Sequence, residues 1–226
     1  MKKKNKAIYL LFLMPFVYFA TACFVVWLVK TSGIYPSGSD TMYHVYRGDY
    51  VYNAIKSGNW YPLYDPAWYN GVEILRYWSP FPAYVMAFCQ YLAGGSQFGA
   101  YLFYIGGVCF LGACVWPFIG RGFNRPYLGA FIGLLWFFMP NNLCAIFIEG
   151  NLARSLSMIF LPVFIYSVYK YLYNHKLRYI PLMVFTFLLM ELCHLGYAGM
   201  VAIAVIIYGI VYMIQKGRKK AVLDVV

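Results

Sequence analysis

Apolar residues run along most of the chain in long stretches that polar residues interrupt only briefly. Seven such stretches stand out, at residues 7–29, 77–93, 98–119, 127–148, 152–173, 179–193 and 197–214. A helix needs about 20 mostly apolar residues to cross a bilayer. The pattern therefore predicts an all-α polytopic membrane protein, with residues 1–226 forming a single membrane module.

The longest polar interruption is a loop at residues 31–95, directly after the first apolar stretch. Within it, residues 41–56 have the pattern of a helix, and residues 77–93 form a short segment rich in aromatic side chains. Pro80 and Pro82 disrupt the first turn of that segment, because proline lacks the backbone N–H of a helix. We expect residues 77–93 to form an interfacial helix rather than a membrane span.

The distribution of basic residues supports the same topology, because these residues favour the cytoplasmic side of a membrane. If residues 77–93 do not cross, only five of the 18 basic residues lie outside, namely Lys30, Arg47, Lys56, Arg76 and Arg154. If they cross, most basic residues lie outside and the rule is inverted. We therefore predict about six spans, with both termini cytoplasmic and the 31–95 loop outside.

Composition supports a membrane protein and argues against a nucleic-acid partner. The 226 residues are 63% hydrophobic and only 11% charged, whereas soluble domains are roughly 45–50% apolar. The net charge of +11 comes from short basic clusters between apolar stretches, where such residues contact anionic lipid. The six cysteines form no CxxC pair and are expected to be small residues buried in the membrane region.

Three polar residues of the loop have the spacing of one helical face. Asp40, His44 and Arg47 stand at positions i, i+4 and i+7. Such a face is able to bind a proton, a metal ion or a phosphate. The alternative is that Asp40 only caps the helix and that the other two side chains are solvated.

A second polar cluster interrupts the apolar stretches further along the chain. Glu149 and Arg154 flank a Gly-Asn turn that begins a new helix, and His194 follows the stretch at residues 179–193. Ionisable groups at a membrane boundary are candidates for function. The alternatives are a local ion pair at an ordinary helix connection and a histidine that is only packed and hydrogen-bonded.

Exposed aromatic residues of the loop are candidates for sugar binding. The apolar face of a sugar ring suits an aromatic plane. Trp60 and Trp78 are the two aromatic residues of the loop that we predict to bind the substrate. The same residues also fit an aromatic belt at the membrane surface, which explains most of them.

Three segments together carry a resemblance to known membrane proteins: GSDTMYHVYRGDYVYNAIKSGNWYPLYDPAWYNG, RYWSPFPAYVMA and EGNLARSLSMIFLPVFIY. Their order resembles the GT-C superfamily of membrane glycosyltransferases. More closely, they resemble a bacterial group of 6-pyruvoyl-tetrahydropterin-synthase-related membrane proteins. The resemblance implies a GT-C-like helical bundle. Because superfamily members usually have more spans, the chain is expected to be an amino-terminal fragment.

The resemblance also implies a reaction: inverting transfer of a sugar from a polyprenyl-phosphate donor to a cell-envelope glycan, lipid or protein, at the outer face of a bacterial cell membrane. Asp40 maps onto the base or metal ligand of the first outer loop. Glu149 maps onto the acidic residue of the second outer turn, where it would orient the acceptor or share a divalent cation, Mg²⁺ or Mn²⁺, with Asp40.

The remaining candidate residues receive substrate-binding roles in this hypothesis. Arg154 and Arg47 would hold the phosphate because a guanidinium is able to bind two of its oxygens at once. His194 and His44 would assist near it. The competing hypothesis is a non-catalytic membrane scaffold, or a protein that handles lipids or glycans, with a GT-C-like shape.

Overall fold

A computed structural model of the chain describes residues 2–36 and 38–216, and the side chains of residues 12–36 and 38–215. The helices are α1 (Lys2–Ser32), α2 (Thr41–Lys56), α3 (Phe81–Leu92), α4 (Gln97–Gly122), α5 (Pro126–Leu135), α6 (Pro140–Leu143), α7 (Leu152–Asn174), α8 (Ile180–Cys193) and α9 (Leu195–Lys216). The described part has no β-strand beyond one isolated bridge between Asp65 and Val72. The predicted all-α class is confirmed.

Within the described ranges, five helical segments are long and apolar enough to cross a bilayer. They are Phe12–Ser32, Gln97–Gly122, Pro126–Ile148, Leu152–Asn174 and Leu195–Gln215. A multi-pass membrane protein is therefore confirmed. The one other predicted span, at residues 179–193, corresponds to α8, whose 14 residues extend about 21 Å, less than the roughly 30 Å of hydrocarbon in a bilayer.

Helices α1 and α4 run antiparallel, and this arrangement fixes where the long loop begins and ends. Tyr35, just after α1, packs its ring 5.1 Å from that of Phe98 at the start of α4. Deeper in the bundle, Phe19 of α1 packs against Phe110 of α4. The chain thus leaves α1 and enters α4 at one end of the bundle, and α3 does not carry it to the other end.

We call this end the loop end, and it also contains residues 149–151 and 194. The opposite end, with residues 121–126 and 174–179, is called the basic end. There the Lys170 ammonium of α7 donates a hydrogen bond of 2.7 Å to the carbonyl of Gly122, after α4. The basic residues near the two chain termini that entered the orientation prediction, such as Arg218, lie outside the described side chains.

The predicted span at residues 127–148 is not one continuous α-helix. A 3-10 turn at Trp136–Phe138 follows α5, and a π-helix at Cys144–Ile148 follows α6. Pro140 begins α6 and has no backbone N–H to continue the preceding helix. The buried amide of Asn142 donates to the carbonyl of Trp136 at 2.8 Å and so satisfies one of the groups released by the break.

Helix α8 lies between α7 and α9 and runs antiparallel to both. At the loop end, the hydroxyl of Ser157 in α7 donates to the carbonyl of Met190 in α8. Toward the basic end, the hydroxyl of Tyr212 in α9 donates to the carbonyl of Leu172 in α7. The turn between α8 and α9, which contains His194, therefore lies beside the start of α7.

Helices α2 and α3 form a pair that rests on the loop end of the bundle. Gly48 of α2 allows this close approach, because a Cβ at that position would clash with the side chain of Met86 in α3. The amide of Gln90 donates to the carboxylate of Asp49 at 2.6 Å. Helix α3 begins at Phe81 rather than at residue 77, since Pro80 occupies the N-cap position. The contact with α3 therefore fixes which face of α2 is turned toward the bundle.

Candidate functional site

A cavity of about 740 Å³ opens at the loop end, between α2, the loop that follows it and the turn between α8 and α9. Its chemically distinctive lining residues come from four segments of the chain. They are Asp40, Tyr43, His44, Arg47, Trp68, Trp78, Asn151 and His194. The structure thus brings residues of the two predicted polar clusters to one cavity.

The two clusters are joined by direct backbone contact. The backbone N–H of Asp40 donates to the carbonyl of Glu149 at 3.0 Å, and the hydroxyl of Ser39 donates to the same carbonyl at 3.1 Å. Gly150 has a φ of +67° and packs against the backbone of Thr41 and Gly38. This contact fixes the start of α2 against the start of α7.

The carboxylate of Asp40 lies at the start of α2 but does not cap the helix. Its side chain accepts no capping hydrogen bond from the backbone. Among the described residues, this carboxylate accepts one hydrogen bond, from the neighbouring hydroxyl of Ser39 at 3.2 Å. The alternative prediction was that Asp40 serves only as a helix cap. It does not hold for the side chain, because the carboxylate makes no capping hydrogen bond.

Other acidic side chains of the loop have structural partners. The carboxylate of Asp65 accepts hydrogen bonds from the Tyr46 hydroxyl and from the backbone N–H of Ala67. Glu73 forms an exposed ion pair with Arg76. Asp40 is consequently the loop carboxylate best placed to act on a molecule in the cavity.

Arg47 lines the cavity although its side chain is only 1% exposed. Its Nη2 donates to the carbonyls of Trp78 and Ser79 at 3.3 and 3.4 Å, whereas Nε has no hydrogen-bond partner among the residues that the structure describes. The guanidinium lies 5.4 Å from the centre of the Tyr43 ring. Burial lowers the pKa of Arg47, because removal from water disfavours the charged form.

His44 is buried, with 6% of its surface exposed, and it is neutral in the folded protein. Burial lowers its pKa to about 3, and the positive charge of Arg47 acts in the same direction. An unfolded histidine titrates near about 6.5. Above that pH, His44 is neutral in both states and contributes no pH dependence. As the pH falls below it, only the unfolded state binds the proton, so stability falls.

This difference predicts a stability that depends on pH through His44. Lowering the pH from 7 to 5 should cost about 2 kcal/mol of unfolding free energy through this residue. His44→Asn removes the titrating group and should show a smaller loss over the same interval. Unfolding of both proteins in detergent at the two pH values checks this, and an identical pH dependence would contradict it.

His194 ends α8 and presents one ring nitrogen near the second cluster. Its Nδ1 accepts a hydrogen bond of 3.0 Å from the backbone N–H of Tyr197. Nε2 lies 3.3 Å from Nδ2 of Asn151. Burial lowers the pKa of His194; Arg154 adds to this effect and Asp40 opposes it. The ring therefore lies at the cavity without a full charge.

Glu149 and Arg154 face each other rather than the cavity. Arg154 Nη2 lies 2.7 Å from Glu149 Oε2, and the thiol of Cys144 also contacts the carboxylate. Desolvation opposes ionisation of Glu149, yet the hydrogen bonds from Arg154 and Cys144 hold its pKa below the usual value. The local ion pair that we kept as the alternative is present, and Glu149 contributes its backbone carbonyl to the site.

The residues present do not fit the divalent cation that the resemblance implies. Within the described ranges, no group of three or more His, Cys, Asp or Glu side chains could hold a metal ion. The Glu149 carboxylate, which would share the ion with Asp40, is turned to Arg154.

Of the two tryptophans predicted to bind the sugar, one lies at the cavity and the other does not. Trp78 lines the cavity, whereas Trp60 does not and is 71% exposed. Trp68 is one of the loop aromatics that were candidates for sugar binding, whereas Tyr43 was given no role. Their rings lie 5.2 Å apart in the cavity wall. Tyr43 was recognisable, because position i+3 from Asp40 lies on the same helical face.

Comparison with known proteins adds a family. Residues 75–226 match the 6-pyruvoyl-tetrahydropterin synthase related domain, which is described as a membrane protein. The chain belongs to this family. The matched region of this 6-pyruvoyl-tetrahydropterin synthase related protein contains Glu149, Arg154 and His194, whereas Asp40 and α2 precede it. Neither a curated protein nor a solved structure matches the chain significantly.

Proposed function

We propose that this family member is a GT-C-like membrane glycosyltransferase. It would transfer a sugar from a polyprenyl-phosphate donor to a cell-envelope glycan, lipid or protein. The observation that carries the proposal is that one cavity contains both the carboxylate of Asp40 and the buried guanidinium of Arg47, neither of which has an ion-pair partner among the described residues. A base and an anion-binding group are the two components that this reaction requires from the protein.

In this reaction, Asp40 accepts the proton of the acceptor hydroxyl as its oxygen attacks the anomeric carbon of the sugar. The bond between that carbon and the phosphate oxygen breaks, and its electron pair stays on the phosphate. Attack from the side opposite the leaving group inverts the configuration at the anomeric carbon. Arg47 stabilises the negative charge of the departing phosphate, and the ring of His194 lies at the same cavity.

Aromatic side chains supply a surface for the sugar. Tyr43 and Trp68 pack edge to face, and Tyr43 also contacts the ring of Trp78 at 5.8 Å. These rings line the same cavity as Asp40. Stacking of a sugar on one of them would orient the anomeric carbon toward the acceptor.

The proposed orientation places the loop end at the outer face of a bacterial cell membrane. The exposed basic residues Arg121, Arg125, Lys176 and Arg178 all lie at the other end, which the positive-inside rule assigns to the cytoplasm. Exposed single cysteines test this with a membrane-impermeant maleimide. Ser57→Cys should react in intact cells, and Lys176→Cys only after permeabilisation. The reverse order of labelling would contradict the orientation.

The proposed activity is tested with the purified full chain in liposomes that contain a labelled polyprenyl-phosphate sugar and an envelope lipid and glycan extract. We expect label to appear in the acceptor with inverted anomeric configuration and polyprenyl phosphate to accumulate in equal amount. A folded protein that leaves the donor unchanged with every acceptor fraction would favour the non-catalytic scaffold instead.

A further inference from the structure

We infer that the cavity selects a donor with a single phosphate, a sugar phosphodiester, over a donor with a diphosphate. This inference rests on the proposed function for the identity of the ligand as a lipid-linked sugar. It adds a restriction on the charge of that ligand, which follows from the charged groups that line the cavity.

Within the described part of the chain, Arg47 is a buried cation without a protein counter-ion. Its guanidinium contacts only neutral groups, two backbone carbonyls and the ring of Tyr43, and its Nε has no partner. In the described ranges, ion pairs to arginine join Glu73 with Arg76 and Glu149 with Arg154. A buried charge is costly unless an opposite charge accompanies it. A ligand anion in the adjacent cavity would supply that charge.

The remaining lining groups add no second positive charge. His44 and His194 also line the cavity, and burial keeps both neutral near pH 7. Arg154 is already neutralised by Glu149 and does not line the cavity. One guanidinium therefore matches the single negative charge of a sugar phosphodiester.

A second phosphate would meet unfavourable surroundings. Asp40 lines the cavity, so its carboxylate repels additional negative charge, whereas the carboxylate of Glu73 is paired with Arg76. The described part also offers no cluster of metal-binding side chains that could hold a compensating cation. A diphosphate-linked donor brings one further negative charge into this environment.

The test measures binding without turnover, using the full chain in phosphatidylcholine nanodiscs and no acceptor. Two synthetic donors with the same sugar and the same polyprenyl length are compared, one with a phosphate and one with a diphosphate link. Glucose 1-phosphate and inorganic phosphate serve as competitors without a lipid. We expect the phosphate-linked donor to bind at least about tenfold more tightly, with and without EDTA, and the soluble phosphates not to displace it.

Variants then assign the preference to Arg47. Arg47→Gln should lose binding of the phosphate-linked donor, and Arg47→Lys should bind more weakly but keep the preference, because it retains the charge. Arg125→Gln, an exposed arginine at the basic end, is the matched control and should bind as the unmodified protein does. Equal or tighter binding of the diphosphate donor, dependence on added Mg²⁺, displacement by soluble phosphate, or full binding by Arg47→Gln would each overturn the inference.

The outcome is separable from that of the proposed function. Selective binding of the phosphate-linked donor through Arg47 without any sugar transfer would leave the inference intact and overturn the transferase. Sugar transfer from a diphosphate-linked donor at an equal or higher rate would support the transferase and overturn the inference about the phosphate. Wild-type binding alone decides the charge preference if Arg47→Gln does not fold.

Discussion

Replacing Asp40 with asparagine is expected to lower the rate of sugar transfer about 10²–10⁴-fold, the usual contribution of a general base. Asparagine has the same shape and keeps an oxygen for the Ser39 hydroxyl, but it cannot accept the acceptor proton. Because the Asp40 side chain does not cap α2, the substitution should leave the folded structure intact. Transfer by the purified variant in liposomes, together with its unfolding temperature, provides the measurement.

Asp49→Asn is the matched control for this experiment. Asp49 lies on the same helix but does not line the cavity, and asparagine still accepts the hydrogen bond from Gln90. We expect this variant to transfer sugar at nearly the unmodified rate. If Asp40→Asn retained full activity with a normal unfolding temperature, the role of Asp40 as base would be wrong.

The substitution Gly150→Ala should reduce transfer about 100-fold by moving the two halves of the site apart. A Cβ on Gly150 would lie 2.6 Å from the backbone nitrogen of Thr41 and would also clash with the Thr41 hydroxyl. Its φ of +67° adds strain for a residue with a side chain. A displacement of about 1 Å between catalytic groups is enough for a loss of this size.

The same variant should lose about 1–3 kcal/mol of stability, the usual cost of inserting a methyl group into a packed contact. Gly209→Ala in α9 is the control, because a Cβ there meets no atom within 4 Å. Its transfer rate and unfolding temperature should stay unchanged. Unaltered transfer by Gly150→Ala would show that the contact between residues 38–41 and 149–151 does not position the site.

Much of the helical framework is predictable from local patterns. Apolar stretches of sufficient length indicated the spans, and helix α2 has the same bounds, Thr41–Lys56, as the helical pattern in the loop. The break at Pro140 was missed, because the apolar side chains around it continue the hydropathy of a span. Only the structure shows that Asn142 compensates the interrupted backbone hydrogen bonds.

The candidate site was predictable in part. Helical spacing grouped Asp40, His44 and Arg47 correctly, because neighbours on one helix depend only on local geometry. The partners of each side chain depend on tertiary contacts and could not be derived. Sequence reasoning gave Arg154 and Arg47 the same role, yet Arg154 is paired with a carboxylate and Arg47 is not.

The central claim is that the cavity at the loop end is the site at which a lipid-linked sugar binds. A polyprenyl-phosphate sugar with a photoreactive group on the first isoprene unit tests it most directly, by cross-linking to the full chain in liposomes. We predict labelling of peptides that contain residues 39–47 and 193–196, with loss of the label when unlabelled donor is in excess. Labelling confined to helices remote from the cavity, such as residues 126–148, without competition by the donor, would contradict the claim.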